Sequence, residues 1–353
     1  MRLSEFNARA IAAARRYLLA RLSPLSFQKL RFGENTTQVV WETKVVYSSA
    51  SSVMSYDERS GGFEGFTFAD QELVSVKEII LDSFTGMSFD RDRNVICESS
   101  AWPHEYLRMN VVPKPPLFFK TDRRPEANYI CLSSIGFYHW LIEDLGPFIF
   151  ALRNTINPVV LVNENPPPYV KTFLELIPDI RILFVPRFVE LPEINFVTRN
   201  ANVGWPLPMD LFQIREFFAQ YRKETVIGNY VYVSRINASR SPVFEKKLVE
   251  NLSKNGWLII DAAKLLIREQ VEIFSSAEVI AGVHGAGLSG VAWMNEGAKL
   301  IEIGPDRYVK CFSRLANNLD VKHHRIAFTD TLSQAEIVHQ KILECLRDPY
   351  ELS

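Results

Sequence analysis

Several things that would announce a function are missing from this chain. Its 40 basic and 41 acidic side chains nearly cancel, so no global charge calls for a nucleic-acid partner. The four cysteines, Cys97, Cys131, Cys311 and Cys345, form no CxxC pair and no Cys/His spacing. They read as thiols of a reducing compartment, and a zinc site is not expected. No apolar run is long enough to span a bilayer, and no signal-peptide core follows Met1, so the expected location is the cytoplasm. The P-loop pattern, HExxH and GxSxG are all absent. The lack of a nucleophile elbow removes a hydrolase reading of the HGAG run at His284, because Gly287-Leu288-Ser289-Gly290 has the wrong spacing.

What is present is ordinary in amount and informative in order. With 47% hydrophobic and 23% charged residues, the chain has a globular composition, and 353 residues favour two domains. Residues 1–32 read as a basic helix: Arg2, Arg9, Arg15, Arg16, Arg21, Lys29 and Arg31 face only Glu5. Its apolar stripe of Leu3, Phe6, Ala10, Ala13, Tyr17 and Ala20 suits either docking on its own domain or peripheral contact with an anionic membrane. From residue 38 to about 120, short apolar runs alternate with Gly, Ser, Asp and Pro, which predicts a β-rich segment.

From Asn128 onward strands and helices alternate. Strands are expected at NYICLSS, PVVLV, RILFVP, YVYVSR, WLIID, VIAGV, KLIEI and KHHRIAF, with NFVTRNANVGWPLP as a turn-rich linker. Helices are expected between them, including Phe137 to about Asn154, Leu288–Met294 and Ser333 to about Arg347. Such alternation implies an α/β fold with parallel sheets, here two Rossmann-like units joined near residues 200–225. In such sheets ligands sit at the carboxyl ends of strands.

Four features fall near expected strand ends. VIAGV leads into His284, Gly285, Ala286 and Gly287 and then a helical pattern, so unpaired backbone N–H groups at a helix start could receive an anion. His284 could donate to a phosphate or a sugar hydroxyl, or be satisfied within the turn. Ser234, Arg235 and Arg240 follow YVYV; the planar donor fork of arginine suits phosphate oxygens. Glu302 shares one strand face with Leu300 while Ile301 and Ile303 take the other, and such a carboxylate would meet ribose hydroxyls or an arginine. In IGFYHWLIEDLGP, His139 and Glu143 lie four apart on a helix with Asp144 beside them, a cluster able to take a proton from a hydroxyl or simply a polar helix start. Pro147 has no N–H for the carbonyl of Glu143, so a kink or a short helix is expected there.

The order YVSR…R, WLIID and EQVEIFSSAEVIAGVHGAGLSGVAWMNEGAKLIEIGP, preceded by FYHWLIEDLGP, resembles glycosyltransferase family 61 over roughly residues 128–330. Bacterial members of that family are often called capsular polysaccharide biosynthesis proteins. The resemblance implies a GT-B-like fold, two Rossmann-like domains facing a cleft with a β-rich N-terminal elaboration. It divides the chain into the basic helix 1–32, an acceptor-side domain 33–205, a nucleotide-sugar domain 206–330 and a final helix 331–353. It implies inverting transfer from a nucleotide-sugar, a UDP-sugar by family habit, to a hydroxyl of a surface glycan. Arg235, Arg240, His284, Gly285, Ala286 and Gly287 would hold the donor diphosphate, Glu302 would lie near the nucleoside, and His139, Glu143 and Asp144 would serve the acceptor. No metal and no further cofactor are expected, since no DxD-type pair accompanies the diphosphate motif. One departure is Phe244, where many members have Asn before the residue matching Glu245. A pyruvyl or phosphosugar transferase, or a UDP-binding subunit without turnover, would also want such a phosphate turn.

Overall fold

The computed structural model describes residues 42–46, 51–57, 62–68, 72–93, 95–96, 99–100, 115, 128–199, 203–238, 240–305, 310–329 and 331–347. The expected N-terminal helix lies outside these residues.

Two large sheets and a separate two-stranded hairpin carry the described chain. The first opens with β1 (Glu42–Val46), followed by the separate hairpin β2 (Ser51–Asp57) and β3 (Gly62–Phe68), then β4 (Glu72–Asp82), β5 (Ser88–Phe89) and β6 (Val95–Ile96). Next come β7 (Asn128–Leu132), helix α1 (residues 137–154), β8 (Pro158–Asn163), α2 (Pro168–Leu174), β9 (Arg181–Val185) and β10 (Phe188–Val197). The sheet order is β6-β5-β4-β10-β7-β8-β9, with β1 also on β4. β10, β7, β8 and β9 run parallel, while β4 is antiparallel to β10. Of the β-rich N-terminal segment, β1, β4, β5 and β6 therefore extend the first sheet, while β2 and β3 pair only with each other among the described strands.

β10 corrects the expected linker, whose first residues, Asn195 to Val197, end a ten-residue strand. Pro192 hid it, because proline cannot donate to a ladder. The ladder accommodates the defect: pairing passes from Leu191↔Ile79 to Glu193↔Lys77, and the skipped partner Glu78 has a positive φ of 57°.

After α3 (Pro208–Phe217), the second unit contains β11 (Val226–Val233), α4 (Glu245–Lys254), β12 (Leu258–Ile260), α5 (Ile267–Ser276) and β13 (Ala277–Val283). It continues through a 3-10 helix (Ala286–Trp293), β14 (Lys299–Pro305), α6 (Cys311–Asn317), β15 (Lys322–Phe328) and α7 (Gln334–Arg347). All five strands are parallel in the order β12-β11-β13-β14-β15. AEVIAGV and KLIEIGP have the near-continuous apolar runs that a sheet covered on both faces requires. Ile301 and Ile303 pack with α4 and α7 through Phe244, Leu248, Val338 and Ile342. Leu300 faces the other way, into a cluster that runs from Trp140 and Ile142 of the first unit to Phe274, Trp293 and Phe312 of the second. That apolar cluster joins the two units.

The helix expected at Leu288–Met294 is a 3-10 helix beginning at Ala286. Tight packing underneath explains the difference. A Cβ at Gly287 would lie 3.0 Å from Val233 Cγ1, and one at Gly290 would lie 2.6 Å from the Phe274 ring. These glycines let the segment sink onto β11 and α5.

Candidate active site

The order of the second sheet reverses between β11 and β13, and a crevice forms outside the carboxyl ends of strands at such a switch point. Arg235 follows β11, and His284 follows β13. Three acceptances by buried Glu245 hold the first loop: the backbone N–H of Arg235 at 2.6 Å, the Tyr232 hydroxyl at 3.2 Å and the Ser241 hydroxyl at 2.7 Å. Phe244, the departure from the family pattern, packs edge-on against Phe328 and leaves this clamp in place.

The Arg235 guanidinium donates through Nη1 to the His284 carbonyl. Gly285 is what makes room for it, since a Cβ there would meet Nη1 at 2.5 Å. The glycine of the HGAG turn thus serves the arginine as well as any anion. Burial, then the neighbouring charge of Arg240, pushes the Arg235 guanidinium below its ordinary pKa. Arg240 itself is exposed and makes no ion pair among the described residues. Two like charges side by side, one of them uncompensated, favour an anionic occupant.

The His284 N–H continues the β13–β14 ladder by donating to the Ile303 carbonyl at 2.7 Å, opposite the strand that carries Glu302. Its Nδ1 lies 2.5 Å from Glu302 Oε1, and His323 Nε2 lies 2.8 Å from Oε2. Burial alone would raise the Glu302 pKa; hydrogen bonds from both histidines outweigh it and hold the carboxyl below its ordinary value. With both oxygens engaged, Glu302 orients His284 and fixes its Nδ1–H tautomer, leaving Nε2 to meet a ligand. A ribose at Glu302 would have to displace these bonds. His323 was missed in the sequence because its partner lies on the neighbouring strand.

The cluster of His139, Glu143 and Asp144 sits on α1, which opens as Phe137–His139, passes through a π turn at Trp140–Asp144 and continues as Leu145–Asn154. Leu145 N–H donates to the Trp140 carbonyl, five residues back. The expected kink at Pro147 is thus absorbed as a wider turn, a form often found at functional sites. His139 Nδ1 lies 2.9 Å from Glu143 Oε2, as their four-residue spacing predicts. The other oxygen of Glu143 accepts from Gly204 N–H at 2.5 Å, and Arg314 of α6 donates to the Gly204 carbonyl at 3.2 Å while lying 3.5 Å over the Trp205 ring. Glu143 is fully buried with both oxygens used, so it braces His139 and latches the connection between units.

Asp144 is different. Its Oδ2 accepts from Ser133 at 2.6 Å, while Oδ1 has no partner among the described residues. Burial raises its pKa to about 7, against opposing effects of Ser133, Arg199 and His139. That value is matched to proton transfer near neutrality. The first turn of α1 also packs against the 3-10 helix, and Phe312 stacks edge-on with both Tyr138 and His284. The two half-sites are therefore neighbours.

Residues 137–301 match the family model for Glycosyltransferase 61. The chain carries a glycosyltransferase 61 domain. It is a glycosyltransferase enzyme. The matched stretch starts at the first residue of α1 and ends inside β14, so it contains His139, Glu143, Asp144, Arg235, Arg240 and the turn at His284, with Glu302 one residue beyond. No curated protein matches the chain. Among the described residues no helix is long and apolar enough to cross a membrane, and no group of three His, Cys, Asp or Glu side chains could hold a metal ion.

Proposed function

We propose that this glycosyltransferase has a GT-B-like arrangement and moves a sugar, with inversion, from a UDP-sugar to a hydroxyl of a bacterial surface glycan of the capsular or lipopolysaccharide kind. Arg235 carries this reading: its backbone N–H is held by Glu245 and its guanidinium by the His284 carbonyl, beside Arg240, which makes no ion pair among the described residues, at a topological switch point. In the proposed reaction the acceptor oxygen attacks the anomeric carbon as its proton passes to Asp144. The bond from that carbon to the diphosphate breaks on the opposite face. Arg235, Arg240, His284 Nε2 and the backbone of Gly285, Ala286 and Gly287 take up the charge developing on the departing UDP, where preorganised donors help most. His139 and Glu143 hold the start of α1 in register for Asp144.

Because the two arginines supply the charge, turnover is proposed to be metal-independent, and the enzyme to work at the cytoplasmic side, in peripheral contact with the membrane. Calorimetry with UDP tests the central assignment: Arg235→Ala should weaken binding on the order of a hundredfold or more, and an unchanged affinity would discard it. Full turnover in chelator-treated protein is expected, whereas strict manganese dependence would remove the metal-independent scheme.

A further inference from the structure

The first sheet has a switch point of its own. From β7 the chain moves to β8 and β9 on one side, while β10 lies on the other. Between the β7 and β10 ends, beneath α1, is a cavity of about 50 Å³ lined by Ser99, Ser100, Ser133, Asp144, Asn195 and Arg199 among others. Arg199 falls just after β10, in the stretch whose sequence reads as a linker, yet it is only 2% exposed. Its Nη1 pairs with Asp210 at 2.5 Å. Its Nε and Nη2 have no hydrogen-bond partner among the described residues. These two form the side-on edge of the guanidinium, two parallel donors suited to a pair of adjacent oxygens. Buried donors left unpaired are costly, so a ligand that fills them is favoured.

Charge decides between the two oxygen pairs that fit this edge. Asp210 already neutralises Arg199, and Asp144 adds a negative charge whenever it is ionised. A carboxylate or phosphate entering here would meet net negative charge, whereas two neutral hydroxyls would not. They could accept from Arg199 and donate to Asp144 Oδ1 together, and the cavity has room for the edge of a sugar ring rather than a whole residue.

The geometry points to this cavity as the acceptor subsite, holding a vicinal pair of hydroxyls of the acceptor sugar between the Nε/Nη2 edge of Arg199 and Asp144. The inference rests on the proposed acceptor role of α1 and extends it. One hydroxyl of the pair is the nucleophile at Asp144; its neighbour is the specificity contact at Arg199.

The test is saturation-transfer NMR on the full chain with methyl glycosides of common hexoses and their monodeoxy analogues, with UDP binding measured in parallel. The expected result is binding of at least one glycoside that is lost on removing either of two adjacent hydroxyls. Binding should fall about tenfold in Arg199→Lys, which keeps the charge for Asp210 but not the fork, and in the isosteric Asp144→Asn, while both retain UDP affinity. Glycoside binding at parental strength in both variants would overturn the subsite, as would UDP binding without any glycoside bound by the parent. Glycoside binding with these sensitivities but no UDP binding would leave the subsite standing and remove the donor reading instead.

Discussion

The carboxyl ends of the two sheets are built from the same kind of crevice but oppositely charged. At the second sheet Arg235 and Arg240 stand together, with the nearby buried carboxylates Glu245 and Glu302 spent on holding Arg235 and His284. At the first sheet the buried Arg199 is cancelled by Asp210, and the carboxyl of Asp144 is the group with an oxygen to spare among the described residues. A cationic end suits a departing diphosphate; an end with a carboxylate tuned near neutrality suits an incoming hydroxyl. Burial raises the acid at one end, and histidine partners lower the acid at the other. Environment, rather than residue type, assigns the two carboxylates different work.

The strongest way to break this contrast is to remove the acid at the first sheet. Asp144→Asn is expected to cut kcat by about a hundred- to ten-thousandfold while sparing UDP affinity. Near-normal turnover would discard the base assignment. In the parent, kcat/KM should rise with pH through about 7 as Asp144 ionises, and a flat profile across that range would sink the same claim. At the second sheet, Arg235→Ala should weaken UDP on the order of a hundredfold or more without changing glycoside binding at the first. Equal loss at both ends would mean that the two crevices are not independent.

A subtler probe is Gly285→Ala. The added methyl would meet the Arg235 guanidinium at 2.5 Å and push it from the His284 carbonyl. UDP affinity should drop about tenfold, a single charge-assisted contact's share, with the fold intact by circular dichroism. Unaltered affinity would show that the glycine is not there for the arginine.

The smallest effect is on stability. The folded-state pKa of Asp144 is raised from 3.8 to about 7, so the native state binds more protons than the unfolded chain between those values, and stability falls as pH rises through that window. Asp210, raised to about 6 by burial against the opposing pull of Arg199, adds to the same slope. Glu302 is lowered, so its contribution is present above the usual carboxylate range and is lost as pH falls. Urea midpoints measured across the acid-to-neutral range should therefore show a shallower fall toward neutral pH in Asp144→Asn, and a shallower fall toward acid in Glu302→Gln. Curves parallel to the parent's in both variants would contradict the opposed environments.

Much of the second unit was legible in the sequence. Its β–α alternation, the strand ends at Arg235 and His284, and the opposite facing of Glu302 and Ile303 all follow from local periodicity. The His139–Glu143 pair follows from helix geometry. The first unit was harder. A proline inside β10 hid a central strand, and Pro147 called for a break where the chain makes a π turn. Arg199 offered no local signal at all, since its burial depends on β10 lying between β4 and β7, two strands far away in sequence.

By itself, then, the sequence determined the α/β class, the glycine turn with its arginines, and the residues able to carry proton transfer, because these depend on contacts within a few residues. Only the tertiary structure decided which of their polar atoms are already engaged. Among the described residues it filled both oxygens of Glu143 and of Glu302, left Asp144 Oδ1 without a partner, and placed the unpaired edge of Arg199 in the same cavity. Roles of that kind are set by which groups are already hydrogen-bonded, and the bonds that matter here join residues from different strands.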